Sequence, residues 1–253
     1  MTLKKKILYG IIITVVILAA ACGIYVNDYY HAGEQAMAVA GTAAADYTCQ
    51  HGENTLVFLP SDDAAAGVDE PAGLIFYPGG KVEYTAYAPL MEQLAEKGVL
   101  CVLVKMPANL AVLDMGAAEA HLDEFPDIEN WYVGGHSLGG SMAASYAAEH
   151  AEDLEGLLLL ASYSTADLTD SGLDVLSIYG SEDGVLNMEK YNEYRPNLPK
   201  ETTAEIILEG GNHAGFGDYG LQDGDGEAAI SGEEQRDMTV EGVMEILQGV
   251  QEE

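Results

Sequence analysis

Basic residues are scarce in this sequence. The 253-residue chain carries 10 lysines and arginines against 42 aspartates and glutamates, which gives a formal net charge of -32 at pH 7. A surface of this sign repels the phosphate backbone of nucleic acids and the headgroups of anionic lipids. The charge therefore argues against a nucleic-acid partner, and we predict none.

Cysteines are few as well, and they are scattered. Cys22, Cys49 and Cys101 do not form the pattern of a disulfide framework or a zinc site, and the sequence leaves a Cys49–Cys101 bridge open. No group of His, Asp and Glu residues has the spacing of metal ligands. We therefore predict neither a metal nor a cofactor. The hydrophobic content of 48% excludes a mainly disordered chain, and the length suits one well-buried domain.

One long apolar run is present, at the N terminus. Lys4, Lys5 and Lys6 precede the uncharged residues 7–26. A helix of that length, at about 1.5 Å per residue, reaches roughly 30 Å, the thickness of the hydrocarbon core of a bilayer. Lysines on the N-terminal side of such a run favour a cytoplasmic N terminus. We therefore expect residues 1–26 to be an uncleaved signal anchor of a single-pass membrane protein, with the rest of the chain outside the cytoplasm.

Two alternatives place the folded part of the chain on the same side of the membrane. The end of the apolar run also resembles a bacterial lipoprotein signal, in which Cys22 would be lipidated, although Ala19 stands where a larger aliphatic residue is usual. Cleavage near Ala21 would instead release a secreted domain. In each case we interpret residues 27–53 as a stalk and lead-in and residues 54–253 as the folded domain.

Short apolar runs alternate with helical patterns from residue 55 onward, which is typical of a parallel sheet covered by helices on both faces. The predicted strands cover residues 55–59, 73–77, 99–105, 130–134, 156–161, 175–179 and 204–208. The predicted helices cover residues 84–97, 112–125, 138–150, 187–194 and 233–249. We therefore predict an α/β fold with a mostly parallel central sheet. The connection 162–174 is too short for a substantial lid.

The most informative motif is Gly135-His136-Ser137-Leu138-Gly139, which matches the pattern G-x-S-x-G. In a chain with 29 glycines the pattern alone is weakly specific, so its context decides. A predicted strand precedes the motif and a predicted helix follows it. A tight strand-to-helix turn strains the backbone at the serine and needs glycines beside it. The context therefore predicts Ser137 as a nucleophile.

A serine hydroxyl becomes a good nucleophile when a histidine takes its proton and a carboxylate orients that histidine. Asp183 follows a predicted strand, and Gly184 gives the turn after it conformational freedom; the neighbouring Glu182 is the rival acid. His213 also follows a predicted strand and is the only histidine after Asp183. The order serine, acid, histidine therefore predicts Asp183 as the orienting acid and His213 as the general base.

The oxyanion formed in acyl transfer needs backbone N–H donors, one after the nucleophile and one from an early strand-end loop. Leu138 would supply the first donor. For the second, Pro78-Gly79-Gly80-Lys81 follows an early predicted strand. Its glycines allow close approach of a substrate. We predict Gly80 as the second donor, with Lys81 as the alternative.

Together these residues resemble the α/β-hydrolase superfamily from about residue 73 to residue 247, and most closely its compact dienelactone-hydrolase-like branch, the α/β-hydrolase fold-5 group. The pentapeptide 135–139 and the tripeptide 211–213 carry the likeness. The resemblance implies the α/β-hydrolase fold, acyl transfer through a Ser–Asp–His triad and an acyl-enzyme, and no cofactor. Two departures are present. Pro78 stands where many members carry histidine, and the cysteine nucleophile of dienelactone hydrolases is absent, so that activity does not carry over.

The function expected from these residues is that of a serine hydrolase that cleaves carboxylic esters, of esterase or deacylase type. Its substrate would be a small molecule or an ester of the cell envelope. A peptidase or an acyltransferase on the same triad is the alternative among enzymes. A non-catalytic surface binding module is the alternative outside them. The sequence does not specify the oligomeric state.

Residues 217–226 form a segment rich in glycine and aspartate shortly after His213. Calcium binding by such a segment is conceivable, but the spacing of its acids is not that of an EF-hand loop. Glycine-rich polar segments between elements are usually loops. We therefore predict a flexible loop at the rim of the site.

Overall fold

The computed structural model describes residues 3–41, 46–66, 68 and 70–247. The strands are β1 (Tyr47–His51), β2 (Thr55–Pro60), β3 (Ala72–Tyr77), β4 (Leu100–Val104), β5 (Asn130–His136), β6 (Gly156–Leu160), β7 (Asp174–Gly180) and β8 (Thr203–Leu208). The helices are α1 (Leu3–Asn27), α2 (Glu34–Val39), α3 (Asp62–Ala65), α4 (Ala88–Glu96), α5 (Glu119–Leu122), α6 (Leu138–Glu149), α7 (Met188–Tyr194) and α8 (Gly232–Leu247).

All eight strands form one sheet in the order β1-β2-β4-β3-β5-β6-β7-β8. The pairs β1–β2 and β2–β4 are antiparallel, and every pair from β4 to β8 is parallel. Every residue of β3, β4 and β6 is buried, as expected for strands covered on both faces. The predicted mostly parallel α/β sheet is confirmed.

Helices cover both faces of the sheet and divide the core in two. On one face, α4 contributes Leu90, Met91 and Leu94, and α8 contributes Val240 and Val243. On the other face, α6 presents a row of alanines, Ala143, Ala144 and Ala147. Because alanine side chains are small, α6 can approach the sheet closely, and its first turn lies over the carboxyl end of β5. That end of the sheet carries the site described below.

The sheet begins earlier than the sequence predicted. Residues 27–53 were interpreted as a stalk, yet β1 lies within them and pairs with β2 as a hairpin from Tyr47 to His51. Tyr47 is only 2% exposed. A strand of five residues at the edge of a sheet buries little of its length, so its sequence shows no clear apolar pattern. The domain therefore includes residues that precede 54.

One predicted helix is wrong. The segment 112–125 contains a single turn at Ala111–Leu113 and the four-residue helix α5 instead of one continuous helix. The hydroxyl of Tyr77 donates to the carbonyl of Met115 and accepts from the N–H of Ala118, both at 2.8 Å. Since these tertiary bonds take backbone groups that a helix would use, they hold the segment in an irregular conformation. The other predicted helices are confirmed, except that residues 248 and 249 lie outside the described residues.

Candidate active site

Ser137 lies at the sharp turn between β5 and α6. Its backbone angles, φ 52° and ψ -119°, fall in a region that residues with side chains rarely adopt. Its N–H donates to the carbonyl of Leu160 on the neighbouring strand at 2.9 Å, which fixes the strained turn. A Cβ atom at Gly135 would lie 2.6 Å from the carbonyl oxygen of Tyr77. The glycine before the serine is therefore required by the packing of the turn.

The orientation of α6 places backbone donors beside Ser137. Leu138 is the first residue of α6, so its N–H has no acceptor inside the helix. The positive end of the helix dipole also points at this place. The hydroxyl of Ser162 donates to the carbonyl of Ser137 at 2.8 Å and braces the turn from the next strand end.

Asp183 and His213 form a buried hydrogen-bonded pair at the ends of β7 and β8. The Nδ1 atom of His213 lies 2.8 Å from Oδ2 of Asp183, and each side chain is only 1% exposed. The other carboxylate oxygen, Oδ1, accepts from the N–H groups of Val185 and Leu186. The rival acid Glu182 is exposed, and within the described ranges its carboxylate accepts a hydrogen bond only from the hydroxyl of Ser181. The structure thus brings Asp183, and not Glu182, to the histidine.

The other ring nitrogen of His213 is available for chemistry. A carboxylate only accepts hydrogen bonds, so in the neutral ring of His213 Nδ1 carries the proton and Nε2 carries a lone pair. Among the described residues, the buried Nε2 atom has no hydrogen-bond partner. In the same part of the chain no hydrogen bond joins the Ser137 hydroxyl to His213. The two side chains lie at the same end of the sheet, where the carboxyl ends of the strands meet.

The loop after β3 offers one unused backbone donor. The N–H of Gly79 donates to the hydroxyl of Tyr87 at 3.1 Å, and the N–H of Lys81 donates to the carbonyl of Asn109 at 2.8 Å. Within the described ranges the N–H of Gly80 has no such acceptor. A Cβ atom at Gly80 would lie 2.9 Å from the Leu138 side chain, so the two predicted oxyanion donors are neighbours.

Asp225 is a supporting residue that the sequence reasoning missed. One of its carboxylate oxygens accepts from the N–H groups of His213, Gly184 and Gly226, and the other accepts from Ala214. It therefore joins the loop of Asp183 to the loop of His213. The only signal in the sequence was the acid-rich segment that contains it, and nothing local marks one aspartate there as different from the others.

The segment 217–226 is anchored at several points, in contrast to the predicted flexible rim loop. Asp218 accepts from the N–H of Ala36 at 2.8 Å, and Tyr219 is only 7% exposed. Both carboxylate oxygens of Asp225 accept hydrogen bonds from backbone N–H groups. Across the described part of the chain, no group of three or more His, Cys, Asp or Glu residues is placed to hold a metal ion.

A second histidine lies beneath the first. The ring centroids of His136 and His213 are 4.4 Å apart, and Nδ1 of His136 lies 2.8 Å from the Tyr87 hydroxyl. Burial, reinforced by the neighbouring His213, holds the pKa of His136 well below its usual range. A neutral His136 adds no positive charge beside His213. Tyr87 links this histidine to Gly79 and so supports residues 78–81, the predicted oxyanion loop.

Comparisons with known proteins identify the family and the fold. A family model described as the alpha/beta hydrolase family matches residues 73–237. Among solved structures, TT1662 from Thermus thermophilus is 15% identical, with a TM-score of 0.55 over 80% of this chain and 98% of that one. A predicted CIB-like hydrolase from Thermoplasma acidophilum is 15% identical, with a TM-score of 0.51 over 79% of this chain and 98% of that one. No curated protein matches. At this identity the structural likeness concerns the fold alone.

Proposed function

This chain belongs to the alpha/beta hydrolase family, and we propose that it is a serine hydrolase that cleaves carboxylic esters with Ser137, His213 and Asp183. One observation carries the proposal: a buried histidine is bonded to a buried carboxylate through Nδ1, and its Nε2 atom has no partner in the described structure. The buried carboxylate distinguishes His213 from His136, whose Nε2 atom also has no partner in the described structure but whose Nδ1 atom meets the Tyr87 hydroxyl instead of a carboxylate. The half-buried, strained Ser137 at the same sheet edge supplies the hydroxyl that such a base needs.

In the first half of the reaction, Oγ of Ser137 attacks the carbonyl carbon of the ester while Nε2 of His213 takes its proton. The carbonyl oxygen becomes an oxyanion, which the N–H groups of Leu138 and Gly80 stabilise. Asp183 stabilises the imidazolium that forms. When the tetrahedral intermediate collapses, the carbon–oxygen bond to the alcohol breaks and His213 gives the proton to the leaving alkoxide. The acyl group remains on Ser137.

In the second half, water repeats the sequence on the acyl-enzyme. Nε2 of His213 takes a proton from the water as its oxygen attacks the acyl carbon. The bond to Ser137 then breaks, and the proton returns to Oγ. The products are a carboxylic acid and an alcohol, so the balance requires only water and no cofactor.

The proposed location is the outer face of a membrane. The helix Lys4–Asn27 is long and apolar enough to cross a bilayer by length and composition. The lysines at its start favour a cytoplasmic N terminus, which leaves the hydrolase domain outside the cytoplasm. Lipidation at Cys22 after signal cleavage is the alternative attachment. Mass spectrometry of the N terminus of the mature protein distinguishes the two, because only the lipoprotein begins at residue 22.

The proposed mechanism is tested with a fluorophosphonate probe. The full chain in neutral detergent should be labelled at Ser137 and should hydrolyse p-nitrophenyl butyrate. The variant Ser137→Ala should lose the labelling and fall in kcat by about 10⁴-fold or more. The variant Ser145→Ala, further along α6, serves as the matched control and should keep both, because its hydroxyl donates to the carbonyl of Ser141 inside the helix. Undiminished labelling of the Ser137→Ala protein would overturn the assignment.

A further inference from the structure

The end of α1 lies close to the oxyanion loop. Asn27 ends the helix, and Tyr30 already pairs with that loop: its N–H donates to the carbonyl of Lys81 at 2.7 Å, and its carbonyl accepts from Glu83 at 2.9 Å. Three residues of extended chain reach at most about 11 Å. The loop that carries Gly80 is therefore bonded to a residue that lies within about 11 Å of the end of the apolar helix.

Side chains reinforce this attachment on both sides of the site. The Nζ atom of Lys81 lies 2.8 Å from Oδ2 of Asp28 and 4.7 Å from the centroid of the Tyr25 ring. On the other side, the N–H of Asp223 donates to the hydroxyl of Tyr30 at 3.1 Å. The few residues after α1 thus contact both the oxyanion loop and the segment that follows His213.

Exposed apolar side chains lie near both the oxyanion loop and the segment that follows His213. Val112, Leu113 and Met115, which are 49%, 59% and 44% exposed, follow the Asn109 carbonyl that holds the oxyanion loop. Leu221, which is 88% exposed, lies in the segment that contacts Tyr30. We call these four side chains the apolar rim. A single exposed apolar residue is ordinary, but apolar residues on both sides of one site mark a surface that meets an apolar partner.

The helix α1 identifies that partner. None of its membrane-span window is buried against the rest of the structure, so the domain does not cover its apolar surface. Tyr25 and Tyr29 stand at its end, where aromatic residues of membrane proteins meet the water interface. A bilayer around α1 would therefore end at the level of the residues that are bonded to the site loops.

We infer that the apolar rim enters the membrane that α1 crosses, and that the substrate is a long-chain acyl ester resident in that membrane. The inference rests on the proposed function. The acyl chain would pass from the bilayer between the two parts of the rim to Ser137, and hydrolysis would return a fatty acid to the bilayer. Because the domain surface is strongly acidic, the lipid is one with an uncharged or zwitterionic headgroup.

The position of the rim is tested without any turnover. The full chain is reconstituted in phosphatidylcholine vesicles that contain nitroxide-labelled lipid, with Cys22→Ser and Cys49→Ser as background. A fluorescent label is placed by Leu113→Cys, by Leu221→Cys or, as control, by Glu155→Cys, an exposed residue at the opposite edge of the sheet. We expect strong quenching at the first two positions and none at the third. Equal quenching at all three, or none at Leu113 and Leu221, would overturn the inference.

The substrate class is tested with Leu221→Asp and Leu113→Asp. We expect each to lower kcat/KM for a fluorogenic long-chain diacyl ester in phosphatidylcholine vesicles by about tenfold, because a charge opposes insertion of the rim. Hydrolysis of soluble p-nitrophenyl acetate should be unchanged. The control Lys200→Ala makes the net charge more negative by the same amount, at the opposite end of the sheet from the rim. It should change the hydrolysis of neither ester.

A parallel loss on both esters would overturn the inference. A wild-type chain that hydrolyses neither ester refutes the proposed function, whereas the quenching result still reports the position of the rim.

Discussion

At the scale of single residues, the assignment of the orienting acid depends on one contact. Asp183 and Glu182 are neighbours in the chain, yet only Asp183 has its carboxylate on Nδ1 of His213, where two backbone N–H groups also hold it. The sequence favoured Asp183 from the glycine after it. The sequence could not exclude Glu182, because the side chain that reaches His213 is decided by how the loop after β7 packs against the loop after β8.

The change Asp183→Asn should therefore lower kcat for p-nitrophenyl butyrate by about 10⁴-fold, since an amide no longer selects the ring tautomer that leaves Nε2 free. The matched change Glu182→Gln removes the same charge one residue earlier and should leave kcat within about twofold of wild type. Both proteins should remain folded by circular dichroism. A large loss in Glu182→Gln, with Asp183→Asn active, would reverse the assignment.

At the scale of elements, the strands with regular apolar patterns could be predicted from the sequence. The segments whose conformation is fixed by residues distant in the chain could not. The strands from β2 to β8 were predicted from apolar runs, and the serine turn from its place between β5 and α6. The edge strand β1 was missed because it is short and half covered. The segment 112–125 was predicted as a helix because its composition allows one, whereas Tyr77, from another strand, fixes its backbone. No local pattern in a sequence reports such a bond.

The oxyanion loop shows the same dependence on a distant residue. Its glycines could be recognised in the sequence, but the sequence did not decide whether Gly80 or Lys81 supplies the second backbone donor. In the structure the N–H of Lys81 is bonded to Asn109 and that of Gly79 to Tyr87, which leaves Gly80 as the proposed donor. The geometry of this loop therefore depends on a tyrosine that no motif identified.

Tyr87→Phe should disturb this loop measurably. The change leaves the N–H of Gly79 and Nδ1 of His136 buried without their shared partner, which costs about 1–3 kcal/mol of the free energy of unfolding. Because the loop then loses its support, we expect kcat to fall by about tenfold to a hundredfold with little change in KM. Urea unfolding and steady-state kinetics measure the two effects.

The control for this prediction is Tyr84→Phe. Tyr84 is half-buried near the same loop, and among the described residues its hydroxyl makes no hydrogen bond. Removal of that hydroxyl should leave both the stability and kcat close to wild type. Equal losses in the two variants would indicate a general packing effect of the tyrosines and not support of the oxyanion loop.

At the scale of the whole molecule, acidic residues are spread over the whole domain, and exposed acids such as Asp114 and Asp223 lie even beside the apolar rim. All 42 acids of the chain follow α1, whose only charged residues are the three lysines at its start. In the described part of the chain only a few acids are paired with lysine or arginine, among them Asp28, Glu193 and Glu205. Most carboxylates therefore repel one another across the surface. This repulsion favours expanded states and opposes folding.

Salt should relieve that repulsion. Between about 10 mM and about 150 mM NaCl the Debye length falls from about 30 Å to about 8 Å, which is shorter than most distances between surface acids. We expect the Tm of the full chain in neutral detergent to rise, by about 2–4 °C for each kcal/mol of repulsion removed. KCl should act like NaCl, because screening does not depend on the cation. Calcium chloride at matched ionic strength tests the alternative that the segment 217–226 binds a cation: an additional rise would show a specific site there. A Tm that stays flat or falls with NaCl would show that the acidic surface does not limit stability.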